Sequence, residues 1–306
     1  MHISVLLKES INALEIKEDG IYVDCTLGYG GHSSEILKRI TKGFLYCFDQ
    51  DIEAVNYSDN LLKKISNNYK IINNNFEYLQ DELKKDNVFK VDGILFDLGV
   101  SSKQLDDRER GFSYHDDATL DMRMNQKDSL TARDVVNNYN YKELVSIFYK
   151  YGEEKYSPRI ASNIVKYREK KTIETTKELV DIIKKSVPIK AKKEKHPARK
   201  VFQAIRIEVN RELEVLEKGL RQAIDMLNPG GIICVITFHS LEDRIVKNIF
   251  KEYSEVSNEL KKLPFIPKTY EPILTVVNKK VLIPSIEEID NNKRSRSAKM
   301  RIVKRK

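Results

Sequence analysis

The 306-residue chain contains no tryptophan, three cysteines, five histidines, eight prolines and twelve glycines, and each scarcity closes off a class of explanation. Cys25, Cys47 and Cys234 lie far apart in apolar runs and never in a C-x-x-C spacing. A disulfide scaffold is therefore not expected, and the three read as buried thiols in a reducing compartment. His2, His32, His115, His196 and His239 are equally scattered, with no zinc-ligand spacing, so no metal is expected. No apolar run approaches the roughly 20 residues that span a bilayer, and no charged leader with an apolar core opens the chain, so a soluble cytoplasmic protein is expected. The Asn-rich stretches, such as residues 73–75, read as compositional drift with no function attached.

Hydrophobic residues make up 41% of the sequence, enough for one large α/β domain or two ordinary ones, and disorder throughout is excluded. The 54 basic residues exceed the 46 acidic ones by eight, which permits a polyanionic partner without demanding one.

Against that background stands YVDCTLGYGGHSSEIL, residues 22–37. An apolar run ends in an acid, passes through small residues and enters a helical pattern. A glycine-rich strand-to-helix turn lets a ligand approach the backbone and points free amides at it. As a dinucleotide fingerprint it is imperfect, with Gly28, Gly30 and then Ser33, although Asp49 follows at the distance of a ribose-binding acid. Taken alone, the turn equally suits a tight β-to-α connection with no ligand.

The runs IYVDC, FLYCFD, YKII, VDGILFDLG and GGIICVITF read as short buried strands alternating with helices, which argues for a parallel sheet covered on both faces. Residues 106–200 contain helical segments and charged loops but no buried strand. Helices are expected over 131–151, over 157–170 with Pro158 at its first position, and near 175–187. Val201, Ile205, Val209, Leu213, Leu216, Leu220, Ile224 and Leu227 then recur at spacings of three and four, predicting one long amphipathic helix stopped by Asn228 and Pro229. The expected architecture is α/β, with a Rossmann-like sheet core formed by 1–105 and 201–306 and split by an inserted, mainly helical domain over 106–200.

Such a sheet brings Asp24, Asp49 and Asp97 to its carboxyl edge, where ligands bind. An acid at the end of the second strand accepts two hydrogen bonds from a ribose, and Asp49 is the candidate. A nicotinamide cofactor would satisfy the turn and Asp49 equally. Asp24 before the turn, Asp97 at a later strand end and the LNPGG entry to another strand instead resemble Rossmann-like S-adenosylmethionine methyltransferases. Thr26 departs from that pattern, where glycine is common, and Phe76 offers an apolar wall beside an adenine.

The likeness extends further. HISVLLKES, DCTLGYGGHS, GILFDLGVSSKQLDDRERGFSY, LDMRM, FQAIRIEVNRELE and ITFHSLEDRIVK resemble, in order and over nearly the whole chain, the blocks of the RsmH (MraW) family of small-subunit ribosomal RNA methyltransferases. The resemblance implies S-adenosylmethionine as cofactor, N4-methylation of a cytidine in the decoding region, and ribosomal RNA, within an assembled or assembling small subunit, as partner. On matching positions it implies Gly30, Gly31, His32, Asp49, Phe76, Asp97 and Gln104 as cofactor residues.

Cytosine N4 is a poor nucleophile because its lone pair is delocalised into the ring, so positioning must supply most of the rate. Asp97, with Ser101 and Ser102 in DLGVSS, stands where amine-methylating enzymes carry an acid or Asn followed by Pro-Pro and an aromatic. That run is missing here, which leaves Phe238, Phe112 or Tyr114 to stack on the target base. Residues 184–200, including Lys192, Lys193 and Arg199, hold eight basic residues against one Glu, and 293–306 hold eight against no acid. Both stretches, with Arg108 and Arg110, are expected to meet RNA phosphates. Two further readings differ in class. A nicotinamide oxidoreductase would show cofactor absorbance; a non-catalytic RNA-binding assembly factor would bind the cofactor without transferring methyl.

Overall fold

The computed structural model describes residues 4–188, 196–256 and 270–306. Lys192 and Lys193 lie outside the described residues. In chain order the elements begin with α1 (Leu7–Ala13), β1 (Ile21–Asp24), α2 (Gly31–Leu37), β2 (Phe44–Phe48), α3 (Ile52–Leu62), β3 (Tyr69–Ile72), α4 (Leu79–Lys85) and β4 (Val91–Asp97). Helices follow: α5 (Ser102–Asp106), α6 (Ala132–Asn138), α7 (Tyr141–Lys150), α8 (Ser157–Arg168), α9 (Thr176–Ser186) and α10 (Ala198–Asn210). The chain then forms α11 (Glu212–Met226), β5 (Leu227–Thr237), α12 (Ser240–Ser254), β6 (Leu274–Val276), α13 (Ile286–Asn291) and β7 (Lys299–Arg305).

The strands form one seven-stranded sheet in the order β3-β2-β1-β4-β5-β7-β6. The first five are parallel, and β7 runs antiparallel to both β5 and β6. Near-continuous apolar strands follow from burial on both faces. Along β4, Ile94 and Phe96 join one helix-covered core with Leu216, Leu220 and Ile249, while Leu95 joins the opposite core with Leu6, Ile36 and Leu37. Cys25, Cys47 and Cys234 are buried and unpaired. None of the helices described is long and apolar enough to cross a membrane.

The chain forms two compact units, residues 1–99 with 213–306, and residues 100–212. The first unit is the sheet; the second is helical around its own core of Leu144, Phe148, Ile164, Leu179, Val201 and Ile205. The boundaries fall several residues from the expected ones, because Val100 and Leu105 pack with the second core and α10 supplies Val201, Phe202 and Ile205 to it.

Two expectations are corrected. The single helix over 201–227 is two, because Arg211 takes φ 50 between α10 and α11. The helix over 131–151 is also two, broken where Asn140 accepts from Glu143 N and Glu143 reaches back to Asn140 N, a capping box that starts α7. The basic segment 293–306, expected to meet RNA phosphates, is part of the first unit. It contains β7, an interior strand whose Met300, Ile302 and Val303 are buried.

Candidate functional site

The sheet order reverses between β1 and β4, the position at which such sheets bind ligands outside the carboxyl ends of their strands. The glycine turn after β1 is held from three sides. Gly28 and Gly30 have φ of 49 and 74, in the left-handed region that side chains resist. A Cβ on Gly30 would lie 3.1 Å from Ser58 Oγ, and that hydroxyl, on α3, donates to Gly28 O at 2.8 Å. Gly28 N donates to Asp49 Oδ2 at 2.8 Å, and Asp51 N donates to Oδ1 of the same carboxylate at 2.8 Å.

Asp24 is buried and serves the turn itself. Thr26 N donates to its Oδ1 at 3.0 Å and Ser33 Oγ to its Oδ2 at 2.7 Å. Ser33, where a third glycine would stand in a dinucleotide fingerprint, thus ties α2 to the end of β1. The Thr26 side chain makes a further link, since its Oγ1 accepts from Asp97 N at 2.6 Å and fastens the end of β4 to the turn.

Asp97 closes β4 with its side chain 20% exposed, and His32 Nδ1 lies 3.6 Å from its Oδ2. Its Oδ1 is buried with no hydrogen-bond partner among the described residues. Burial, with the charges of Asp24, Glu242 and Glu288, pushes its carboxyl well above the ordinary range. Burial also raises Asp49 to about 6, opposed by the hydrogen bonds from Asp51 N and Gly28 N.

Two aromatic rings flank these strand ends. Phe76 follows β3, lies edge-on to Phe96 at 5.3 Å, and rests on Gly219, where a Cβ would come within 2.5 Å of its ring. Gln50 and Asp49, after β2, are joined to the same loop through Asn75 Nδ2 (3.0 Å to Gln50 Oε1) and Asn73 Nδ2 (3.0 Å to Asp49 O). Phe238, half-buried beyond β5, packs beside Gly99, whose φ is 97; a Cβ there would meet the ring at 3.4 Å. Glu242 Oε2 accepts from Phe238 N at 2.8 Å and fixes that turn.

The profile of the MraW methylase family matches residues 1–306, the whole chain. The chain belongs to this family. Solved structures resemble it at low identity. An rRNA methylase from Streptococcus thermophilus is 9% identical with a TM-score of 0.44, over 98% of this chain and 93% of that one. A protein from Clostridium thermocellum, provisionally named an rRNA methylase, is 12% identical with a TM-score of 0.46 over 100% of both chains. NSun6 from Pyrococcus horikoshii, solved with SFG, is 12% identical with a TM-score of 0.45 over 100% of this chain and 52% of that one.

The methylase uses S-adenosylmethionine, as expected, and the alternative reading of a nicotinamide enzyme is set aside. The residues present fit this cofactor. The orphaned Asp97 Oδ1 is an acceptor awaiting a donor or a positive charge, Asp49 keeps free lone pairs beyond its two backbone donors, and the left-handed glycines leave the turn open to a close approach.

The second unit holds the other expected residues, and it corrects two of them. Arg110 is buried, and its Nη2 donates to Arg123 O at 3.0 Å and Met124 O at 3.1 Å, so it braces a loop and cannot meet phosphate. Phe112 lies beneath it in the helical core, only 5% exposed, and cannot stack on a base. Ser101 and Gln104 form a capping box on α5: Gln104 N donates to Ser101 Oγ at 3.2 Å and Ser101 N to Gln104 Oε1 at 3.0 Å. Ser102 opens that helix and is half-buried. Arg199 is exposed on the first turn of α10, and the 76% exposed Arg108 side chain lies 3.3 Å from Asp116 Oδ1.

Sequence reasoning missed Ser58 and mistook Thr26 for a mere departure. The signal for Thr26 was present: a hydroxyl two residues after a buried acid, in a turn whose neighbours are glycines, has backbone amides as its natural partners. Ser58 carried none, because a serine in the middle of a helix gives no hint of the carbonyl it will meet.

Proposed function

We propose that this methylase transfers a methyl group to N4 of a cytidine in the decoding region of small-subunit ribosomal RNA, acting in the cytoplasm on an assembled or assembling subunit. The observation that carries the chemistry is Asp97, a strand-end carboxylate with one buried oxygen unsatisfied and an affinity for protons raised by burial. S-adenosylmethionine, when bound, supplies an electrophilic methyl group on a sulfonium. Asp49 holds the ribose, Phe76 borders the adenine, and Gly30, Gly31 and His32 border the methionine end. Phe238 offers its ring to the target base from the neighbouring strand end.

As N4 gains its fourth bond it becomes acidic, and the proton it loses passes to Asp97 Oδ1. A carboxylate with a raised pKa accepts that proton better than an ordinary one, and its negative charge favours the cationic amine as it forms. The helical insert then serves RNA recognition, with Arg108, Arg199, Lys192 and Lys193 as phosphate contacts. The family assignment and the sequence blocks support rRNA as the substrate.

The deciding experiment maps modified nucleotides in ribosomal RNA from a strain lacking the protein, with and without its return. Loss and recovery of one N4-methylcytidine in the small subunit is expected. An unchanged small-subunit map, or a lost mark on another atom, would overturn the proposal.

A further inference from the structure

The helical unit carries a cluster of rings at the margin of its core, in which Phe202 belongs to that core and Tyr114 packs against it. Tyr114 and His196, more than 80 residues apart in sequence, stack with centroids 4.6 Å apart and planes 16° from parallel. His115 lies 4.5 Å from the Tyr114 ring and 5.5 Å from the His196 ring. Phe202 closes the inner side, edge-on to Tyr114 at 5.7 Å, while His115 is exposed at the outer side and His196 half-buried.

A buried stack of this kind would be packing alone. Here the outer members reach solvent, with the charge of Lys184 close to His196. Burial, followed by the charge of Lys184, exposed on α9, and then His115, lowers the His196 pKa, which favours a neutral imidazole at His196. The nearby Asp116 is engaged by Arg108 at 3.3 Å and Ser113 Oγ at 3.1 Å. Flat, partly exposed rings beside a lysine suit a ligand that is itself flat and carries a negative backbone.

We propose that Tyr114, His115 and His196 form a stacking subsite for one unpaired base of the substrate RNA, with Lys184 on an adjoining phosphate. The proposal rests on the reading that the chain acts on RNA and deepens it by naming where a single-stranded nucleotide is held. Stacking is tolerant of base identity, so the subsite contributes affinity and positioning and little sequence preference.

The test measures binding of the full-length protein to a fluorescein-labelled single-stranded RNA 15-mer of mixed sequence, and to the same strand in a blunt duplex. Replacing both histidines (His115→Ala with His196→Ala) should weaken single-strand binding about tenfold, the low-to-middle range for loss of one stacked base, and leave duplex binding within about twofold. The paired change His115→Phe with His196→Phe, which keeps rings at both positions, should retain wild-type affinity within about twofold. Lys184→Glu should lower the slope of log affinity against log salt by about one. Affinity for S-adenosylhomocysteine should be unchanged in every variant, which checks that the first unit is intact.

Single-strand binding that survives the alanine pair, an equal loss on duplex, or an equal loss in the phenylalanine pair would each overturn the subsite. Methyl transfer to ribosomal RNA is read separately in the wild type. Its absence alongside ring-dependent RNA binding would sink the proposed activity and leave the subsite standing, whereas normal transfer with an inert ring cluster would do the reverse.

Discussion

The raised pKa of Asp49 makes cofactor binding depend on pH in a calculable way. Both carboxylate oxygens already accept from backbone amides, Gly28 N and Asp51 N, at 2.8 Å each, and burial still lifts the group to about 6. Ribose hydroxyls donate best to the anion, so the cofactor selects the deprotonated form. The sign follows: protonation competes with the ligand, and affinity falls as pH drops through the free-state pKa. With that pKa near 6, the dissociation constant should be flat above about pH 7.5 and about tenfold weaker near pH 5, one decade per unit once the acid form dominates. Calorimetry with adenosine isolates the contact, because that ligand lacks the sulfonium and the amino-acid end that would respond to Asp97. Asp49→Asn keeps one acceptor oxygen for a backbone amide, and it should abolish the pH dependence and weaken binding at neutral pH by about 1.5–3 kcal/mol. Raised by burial, the carboxylate also opposes the fold of the free enzyme as pH climbs from its ordinary value through about 6, a cost the bound ribose offsets. A folded wild-type protein that binds adenosine equally at both pH extremes would refute the ribose assignment.

Asp97→Asn should cut single-turnover methyl transfer on the order of a hundredfold or more while changing cofactor affinity much less; transfer at the wild-type rate would remove Asp97 from the chemistry. In the wild type the rate at saturating cofactor should climb with pH as Asp97 sheds its proton, and Asp97→Asn should flatten that profile. Thr26→Val keeps shape but deprives the Asp97 amide of its 2.6 Å acceptor, which should lower stability by about 1–3 kcal/mol and slow transfer more than it weakens cofactor binding; an unaltered kcat would mean that the β4 end holds itself. Truncation before Lys299 removes buried Met300, Ile302 and Val303, about 5–9 kcal/mol of apolar burial and comparable to a whole domain's stability, so urea denaturation should find no folded protein. A cooperative transition in the truncated chain would contradict the interior placement of β7.

The glycine turn, the acids at three strand ends and the split sheet were legible because they depend on local signals: punctuation by glycine, short β-branched runs, and helical periodicity. What escaped depends on tertiary context. KMRIVKR reads as a charge run, yet its apolar residues alternate, and β7 buries Met300 and Ile302 on one face while Arg301 on the other pairs with Asp243 at 2.7 Å. Arg110 and Phe112 sit in a charged stretch where exposure is the default for arginine; the carbonyls of Arg123 and Met124, which no sequence pattern announces, help make its burial tolerable. The break at Arg211 left no mark because the apolar spacing runs on through it, and an arginine with positive φ has no sequence signature.

The position of β7 also bears on how the chain must assemble. Strands β1 to β4 can zip together in the order in which they are made, and β5 joins β4 once the helical unit has been synthesised. Among the described residues the next strand, β6, pairs in the sheet only with β7, which follows it and must slide between it and β5. Until that happens one flank of β5 presents bare amides and carbonyls, and β6 has no pairing surface. A folding intermediate with an open hydrogen-bonding edge is one that other chains can occupy. Completion of the sheet by its last strand is therefore the step at which aggregation and native closure compete.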